Sequence, residues 1–360
     1  MDMTRRGFQL GLLASGAALP ALAMAGGGDV AGQAAEAGGE AILRRVDPEL
    51  RDGAKAILSH PLPSPLTLAA VRAMRQKAPA AAAPLPPPAA TVERRTVPGA
   101  RGAPPVSVTV IGAKAGGARR PAVLHIHGGG MILGRVADTI VASQRLAAEL
   151  DCLVVEADYR LSPETPFPGP LDDCYSALAW LHDNADTLGV DRSRIAVMGE
   201  SAGGGLAAML AIAARDRGAI PLCYQVLIYP MLDDRTGSTR RVPSFVGTIG
   251  WNEAGNRFGW SSFLGRPAGS PTVPYGAVPA RIANLSGLAP TFIGVGAIDL
   301  FVDEDIAYAA RLVRAGVPTQ LHVTPGAYHG FDFIAPQSRV AREFTAAWKS
   351  GLRAAFVTAS

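Results

Sequence analysis

The stretch "VMGESAGGG", residues 197–205, decides the fold because it sets one serine between an apolar run and a helix-forming run. The preceding "RIAVM" is typical of a short strand, and the following "AGGGLAAMLAIAARD" is typical of a helix. Ser201 therefore lies on a predicted strand-to-helix turn, where Gly199 and Gly203 leave room that larger side chains would fill. Such a strained turn exposes a nucleophile, whereas the alternative is a serine that only begins a small-residue helix.

From residue 91 onward, short β-rich runs alternate with helical patterns. The strand-like runs are residues 106–111, 122–127, 153–157, 194–198, 224–229, 291–295 and 319–323. The helical patterns lie near residues 138–150, 171–184, 202–216, 303–315 and 336–355. The later strands are apolar throughout, as expected for strands that are covered on both faces. The sequence therefore predicts an α/β fold with a mostly parallel central sheet and helices on both faces.

One long interval, residues 231–290, interrupts this alternation and contains no clear strand. Its aromatic side chains include Trp251, Trp260 and Phe263. An aromatic insertion at the carboxyl end of a parallel strand would lie over the ligand crevice of the sheet. We therefore expect a lid segment over about residues 231–280, and an ordinary surface excursion is the alternative.

A serine hydroxyl needs a neighbouring base before it becomes a good nucleophile. Among the six histidines, His329 in "GAYHGFD" follows the last strand in a glycine-flanked loop, from which a base can reach the carboxyl edge of the sheet. The base in turn needs an acid that holds its tautomer. Asp299 directly follows the apolar run "TFIGVGAI", so it is the preferred acid. Asp303, which suits a helix N-terminus, is the reserve candidate.

The motif "HIHGGGM", residues 125–131, also follows a strand. Consecutive glycines allow successive N–H groups to point into a site with no Cβ in the way. We predict that the N–H groups of Gly128, Gly129 and Ala202 form an oxyanion hole, the last of them at a helix N-terminus whose dipole favours negative charge.

Glycine-rich loops also cradle phosphates, but this one lacks the Lys-Ser/Thr ending of a P-loop and the spacing of a dinucleotide-binding turn. The two histidines of the motif are not expected to perform chemistry. We expect His127 to pin the loop and His125 to be packed in the core.

The composition excludes several classes of protein. A hydrophobic content of 48% with 18% charged residues indicates a globular protein. The net charge of +4 is small, and no Lys/Arg cluster interleaves with aromatics, so nucleic-acid binding has no support. Cys152, Cys174 and Cys223 allow at most one disulfide, and we expect buried thiols. No Cys/His spacing indicates a metal site, and no cofactor is expected. A homodimer is compatible with the sequence, which does not decide the oligomeric state.

Residues 1–25 have the features of an export signal, with paired Arg5 and Arg6, an apolar stretch and small-residue cleavage sites. The order "TRRGFQL" resembles a twin-arginine signal, whose route moves folded proteins across the inner membrane. A membrane anchor is the alternative, but the apolar stretch is shorter than the ~20 residues of a span and is diluted by Gly, Ser and Pro. We therefore expect a periplasmic or secreted protein with no stable membrane span after cleavage.

Taken together, the motifs resemble those of the hormone-sensitive lipase family (bacterial family IV) of esterases, within the α/β-hydrolases. The resemblance covers roughly residues 47–350 and includes "HGGG" at 127–130, "DYRLSPETPFP" at 158–168, "GESAGG" at 199–204, "DLFVDE" at 299–304 and "HGF" at 329–331. It implies a catalytic triad and three oxyanion donors at the positions named above: Ser201, Asp299 and His329, with Gly128, Gly129 and Ala202. The sequence departs from the family at Glu200, where Asp or Thr is usual.

The resemblance also implies a helical cap built from two parts of the chain. We expect a flexible leader over residues 26–46, then amino-terminal cap helices and a Pro/Ala connector over residues 47–90. The catalytic domain then covers residues 91–360, with the second cap segment at about residues 231–280. No departure from the family pattern touches the predicted triad.

The function expected from these residues is hydrolysis of carboxylic esters with short to medium acyl groups through an acyl-enzyme intermediate. The same machinery cleaves amides and lactones, so an amidase or lactonase remains open. A ligand-binding homologue is the less favoured alternative because Ser201, Asp299 and His329 are all present. Dehalogenases and epoxide hydrolases of this fold use Asp as the nucleophile, and Ser201 excludes that chemistry.

Overall fold

The computed structural model describes residues 39–76, 90–114 and 118–358. The predicted export signal, most of the leader and most of the Pro/Ala connector lie outside the described residues. The strands are β1 Val92–Val97, β2 Val106–Ile111, β3 Arg120–Ile126, β4 Leu153–Asp158, β5 Val190–Glu200, β6 Tyr224–Ile228, β7 Thr291–Gly296 and β8 Thr319–Thr324. The α-helices are α1 Arg51–Leu58, α2 Leu68–Gln76, α3 Ile140–Leu150, α4 Gly169–Asp183, α5 Ala185–Leu188, α6 Ala202–Arg217, α7 Glu253–Leu264, α8 Val302–Arg314, α9 Phe331–Ile334 and α10 Arg339–Thr358.

Within the described residues, eight strands form one sheet in the order β1-β2-β4-β3-β5-β6-β7-β8. Strands β3 to β8 run parallel to one another, and only the β1–β2 and β2–β4 pairs are antiparallel. The mostly parallel sheet predicted from the sequence is therefore confirmed. Because β5, β6, β7 and β8 lie side by side and point the same way, the residues that follow them meet at one edge of the sheet.

Two hydrophobic layers cover the two faces of the sheet, as predicted. Leu124 and Val197 face one layer, which packs against α4, α6 and α8. Val123 and Ala196, their neighbours along the same strands, face the other layer, which packs against α3 and α10. This alternation explains why the inner strands are apolar throughout, because side chains on both faces of each strand are buried.

Strand β1 and helix α7 are among the elements that the sequence did not predict. Strand β1, "VERRTV", lies at the edge of the sheet and exposes five of its six residues, so it carries charged side chains and no apolar pattern. Helix α7 lies inside the interval where only a lid was predicted, and the side chain of Asn252 caps it by accepting a hydrogen bond from the N–H of Gly255. Tertiary contacts, which the local pattern does not reveal, hold both elements in place.

The leader is shorter than the predicted 26–46. Ile42 and Val46 are buried, and the N–H of Asp47 donates to the carbonyl of Gly326 at 3.0 Å. The packed part of the chain therefore begins at or before residue 42.

The structure also gives the burial of the three cysteines and the length and hydropathy of the described helices. Cys152 and Cys174 are buried free thiols, as expected, whereas Cys223 is a free thiol that is only partly buried. Over residues 39–76, 90–114 and 118–358, no helix is both long and apolar enough to cross a bilayer.

Candidate active site

The structure brings together the three side chains that were predicted to form a triad. Ser201 Oγ lies 2.9 Å from His329 Nε2, and His329 Nδ1 lies 2.8 Å from Asp299 Oδ2. Because an ionised carboxylate only accepts hydrogen bonds, Nδ1–H donates to Asp299 and Nε2 accepts from the Ser201 hydroxyl. Asp299 is fully buried, whereas the reserve acid Asp303 is exposed to solvent. The three residues follow β5, β7 and β8 at the carboxyl edge of the sheet.

Ser201 occupies a strained turn between β5 and α6, with φ 57° and ψ −121°. A non-glycine residue with positive φ is uncommon and signals a conformation that the surroundings impose. A Cβ at Gly203 would overlap the carbonyl oxygen of Ile126, and one at Gly199 would overlap the backbone of Gly203. Glycines at these positions therefore let the turn pack directly against β3.

The predicted oxyanion donors lie beside this turn. A Cβ at Gly128 would lie 3.3 Å from the Cβ of Ser201, so the glycine loop passes close to Ser201 with no room for a side chain between them. Gly129 has φ 120°, a conformation that only glycine adopts without strain, and its carbonyl accepts from the N–H of Leu133 at 2.8 Å. Ala202 begins α6, so its N–H lies at the positive end of that helix.

His127 holds the glycine loop in place. Its Nδ1 lies 2.8 Å from the carbonyl oxygen of Gly128, and its ring stacks on Tyr159 with the centroids 4.4 Å apart. The hydroxyl of Tyr159 donates to the carbonyl of His127 at 2.9 Å. Burial lowers the pKa of His127, so its imidazole is neutral and its Nδ1–H donates to Gly128. These contacts fit the pinning role expected for this residue.

His125 is buried, as expected, but its two carboxylate partners were not predicted. Its Nε2 lies 2.9 Å from the carboxylate of Glu200, and its Nδ1 lies 3.0 Å from Glu156. Glu156 also accepts hydrogen bonds from the hydroxyls of Ser143 and Thr139. Burial alone would lower the pKa of His125, but the two carboxylates raise it well above the ordinary histidine value. His125 is therefore a buried cation between two anions.

The sequence contained a signal for this cluster that was not used. Glu156 interrupts the otherwise apolar "LVVEA" of β4, and a buried carboxylate requires a charged or hydrogen-bonding partner. The register of the sheet supplies that partner, because His125 on β3 lies directly opposite Glu156. Glu200, at the end of β5, directly precedes Ser201 and so connects this pair to the turn that carries the serine.

Two aromatic rings flank the imidazole of His329. The ring of Tyr229 packs edge to face against the imidazole with the ring centroids 4.8 Å apart. The ring of Phe301 does the same with the centroids 5.3 Å apart. The hydroxyl of Tyr229 donates to Oδ1 of Asp332 at 2.9 Å. The sequence did not predict roles for Tyr229 and Asp332, since neither the residue after an apolar strand nor an aspartate in a four-residue helix carries a pattern of its own.

The acid of the proposed triad lies among further buried carboxyl groups. Asp299 Oδ1 accepts from the N–H of Phe301 at 3.0 Å, which fixes the orientation of the carboxylate. Burial raises the pKa of Asp305 well above its ordinary value, and Glu304 and Asp299 raise it further. Burial and the two neighbouring carboxyl groups thus all favour the protonated form of Asp305.

Residues 250–251, which precede α7, cover the carboxyl edge of the sheet at the site. A Cβ at Gly130 would overlap the indole of Trp251, so this ring lies directly on the glycine loop. A Cβ at the adjacent Gly250 would lie 2.9 Å from the carbonyl oxygen of His329. Residues 250–251 thus bridge the glycine loop and the histidine loop, and only 7% of Ser201 remains exposed.

A metal site was not expected from the sequence. In the part of the chain that the structure describes, no group of three or more His, Cys, Asp or Glu side chains is placed to hold a metal ion.

The chain that carries this site is similar to known proteins in sequence and in fold. The sequence profile of the α/β hydrolase fold family matches residues 123–333. This chain belongs to the α/β-hydrolase family. Carboxylesterase NlhH of Mycobacterium tuberculosis is 35% identical to this hydrolase over 249 residues, which cover 65% of this chain and 74% of that protein. An ethyl acetate hydrolase of Pseudomonas putida is 36% identical over 219 residues, or 58% of this chain and 65% of that protein.

Solved structures show the same relationship over a longer part of the hydrolase. A bacterial heroin esterase has a TM-score of 0.76 at 34% identity, covering 87% of this chain and 99% of that one. Esterase LipW of Mycobacterium marinum has a TM-score of 0.71 at 34% identity, covering 87% and 97% of the two chains. The predicted α/β-hydrolase fold and the resemblance to hormone-sensitive lipase-like esterases are therefore confirmed.

Proposed function

We propose that this α/β-hydrolase is a carboxylic-ester hydrolase in which Ser201, His329 and Asp299 form the catalytic triad. The observation that supports the triad is the continuous hydrogen-bonded chain from Ser201 Oγ through both ring nitrogens of His329 to Asp299. The choice of esters over other acyl compounds is supported by the relatives, which include enzymes named carboxylesterase and ethyl acetate hydrolase.

The reaction proceeds in two acyl transfers. Ser201 Oγ attacks the ester carbonyl while its proton passes to His329 Nε2, and the resulting imidazolium is stabilised by Asp299. Collapse of the tetrahedral intermediate breaks the bond to the alcohol, which takes the proton from His329 and leaves an acyl-serine. Water then loses a proton to His329 and attacks the acyl carbon, which releases the acid and regenerates the Ser201 hydroxyl.

The developing oxyanion is held by the N–H groups of Gly128, Gly129 and Ala202. This role is supported by the close approach of the glycine loop to Ser201 and by the position of Ala202 at the N-terminus of α6. Each donor of this kind typically contributes about 10²–10³ in rate. His127 keeps the loop in this position through its hydrogen bond to the carbonyl of Gly128.

The preferred substrates are esters with short to medium acyl groups. This preference is supported by the cover over the site: the indole of Trp251 lies on the glycine loop, and only 7% of Ser201 is exposed. The indole of Trp251 makes the cover over the glycine loop apolar, which favours uncharged substrates.

The proposal is tested by comparing Ser201→Ala with the wild type on p-nitrophenyl butyrate. We expect the variant to fold normally and to lose at least about a thousandfold in kcat, because no nucleophile remains. A fluorophosphonate should label the wild type and not the variant. Substantial turnover by Ser201→Ala would refute the triad. Labelling without ester turnover, together with cleavage of an anilide or a lactone, would instead assign the site to those bonds.

We further propose that the protein is exported in a folded state to the periplasm or beyond. The support is the paired Arg5 and Arg6 ahead of an apolar stretch in the sequence. We expect replacement of both arginines by lysine to leave the esterase in the cytoplasmic fraction, whereas the wild type is recovered outside it in a processed form. Equal export of the two forms would contradict the twin-arginine route.

A further inference from the structure

Tyr229 follows β6, the strand that lies between the strands preceding Ser201 and Asp299. Backbone groups on both sides of Tyr229 form hydrogen bonds with the backbone of Ser201. The N–H of Ser201 donates to the carbonyl of Ile228 at 2.9 Å, and the N–H of Met231 donates to the carbonyl of Ser201, also at 2.9 Å. Tyr229 itself has φ 34°, a conformation that is costly for a residue with a large side chain. The segment around Tyr229 is therefore fixed to the nucleophile turn at two points.

The side chain of Tyr229 reaches from this segment to the histidine loop. Its ring contacts the imidazole of His329 edge to face, with an angle of 62° between the two planes. Its hydroxyl donates to Asp332 Oδ1 at 2.9 Å, and Asp332 lies on α9, the short helix that directly follows the histidine loop, three residues after His329. One side chain thus touches both the base and the backbone segment that carries it.

The ionisation of the two partners suits this hydrogen bond. Burial raises the pKa of Tyr229 well above its ordinary value, so the phenol remains a donor. Burial also raises the pKa of Asp332 to about 6, while the Tyr229 hydroxyl opposes that rise and Glu200 adds to it. At neutral pH Asp332 is therefore a carboxylate that needs a donor, and the Tyr229 hydroxyl provides one.

We propose that Tyr229 is a positioning residue that sets the distance between Ser201 and His329 by joining the nucleophile turn to the histidine loop through its ring and its bond to Asp332. This inference rests on the proposed function, because it assumes that Ser201 and His329 react together. A hydrogen bond between nucleophile and base is sensitive to displacement, and an error of about 1 Å can cost about 10² in rate. Tyr229 does not touch the substrate in this role.

The experiment compares Tyr229→Phe and Asp332→Ala, which both break the bond, with Asp332→Asn, whose amide oxygen still accepts it. Steady-state kinetics on p-nitrophenyl butyrate are normalised to active sites counted by fluorophosphonate labelling, so that unfolded protein does not contribute. Tyr224→Phe is the matched control, since Tyr224 begins β6 at the far end of the same strand. Ser201→Ala reports separately on the proposed function.

We expect Tyr229→Phe and Asp332→Ala each to lower kcat by about tenfold to a hundredfold with KM within about twofold of wild type. The double variant should be no slower than either single one, because both remove the same interaction. Asp332→Asn and Tyr224→Phe should retain kcat within about threefold. Unchanged kcat in Tyr229→Phe would overturn the inference, and so would additive losses in the double variant. Either result could occur together with an inactive Ser201→Ala, in which case the triad would stand and only the role of Tyr229 would fall. If Ser201→Ala were active, the proposed function itself would fail.

Discussion

At the scale of single residues, the turn that carries Ser201 adjoins a cluster of charged side chains centred on His125. His125 is held between Glu156 and Glu200, and Glu200 directly precedes the nucleophile. A neutral imidazole has one donor and one acceptor nitrogen, so two flanking carboxylates require the protonated form. This cation prevents two anions from facing each other under the turn that carries Ser201.

We expect His125→Gln to lower the free energy of unfolding by about 3–5 kcal/mol at pH 6–7, because the two carboxylates lose their shared cation. The pKa of His125 is higher in the folded state than in the unfolded state, so its contribution is fully present below the unfolded value of about 6.5. It is lost as the pH rises through the folded-state pKa. The difference between variant and wild type in urea unfolding should therefore shrink at alkaline pH.

His322→Gln is the matched control for this prediction, since His322 lies half-exposed on the edge strand β8 and contacts a ring rather than a carboxylate. It should change stability little at any pH. A constant deficit of His125→Gln from pH 6 to pH 10 would show that His125 stabilises the protein by packing and not by charge.

At the scale of elements, the site depends on how closely the helix after the nucleophile approaches β3. A Cβ at Gly203 would overlap the carbonyl oxygen of Ile126 and would lie 2.5 Å from that of His127. Both atoms belong to the rigid backbone that leads into the glycine loop. Separation of α6 from β3 would therefore also separate Ser201 from the predicted oxyanion donors.

Gly203→Ala should lower the free energy of unfolding by about 1–3 kcal/mol and reduce kcat, because backbone must move to admit the methyl group. Gly255→Ala is the matched control, a helical glycine whose added Cβ would meet its nearest neighbours at 3.5 Å. It should be neutral or stabilise the protein by up to about 1 kcal/mol. Thermal unfolding and ester hydrolysis measure both effects, and similar behaviour of the two variants would contradict the close-approach argument.

The sequence predicted the elements and residues that carry a local pattern. The apolar runs of the inner strands revealed the sheet, and the glycines around Ser201 revealed the turn because sterics demand them there. Strand β1 was missed since its side chains are exposed and charged. The charge of His125 and the contact of Tyr229 with His329 depend on which strands become neighbours, and no single stretch of sequence records that.

At the scale of the whole molecule, the amino-terminal segment fastens the loop that carries His329. The hydroxyl of Tyr328 donates to the carbonyl of Leu50 at 3.2 Å, and the N–H of Arg339 donates to Glu49 at 2.6 Å. A Cβ at Gly53 on α1 would lie 2.5 Å from the Tyr328 hydroxyl. Residues near the start of the described chain thus touch the residue adjacent to the proposed base.

Gly53→Val should therefore lower both Tm and kcat, because the added side chain displaces Tyr328 and with it the histidine loop. Ala56→Val is the matched control on the exposed face of the same helix, and it should leave both quantities close to wild type. A fall in Tm with unchanged kcat would show that α1 stabilises the fold without holding the histidine loop.

The order of strands has a consequence for the newly made chain. Ser201 follows β5. His329 follows β8, which ends at Thr324, so His329 is fixed in place only after β8 has paired with β7 at the edge of the sheet. Pairing between segments so distant along the chain is a late step in folding. While β8 is still inside the ribosome, a nascent chain therefore holds Ser201 without His329 beside it. Under the proposed function, the growing chain hydrolyses no ester until synthesis is almost complete.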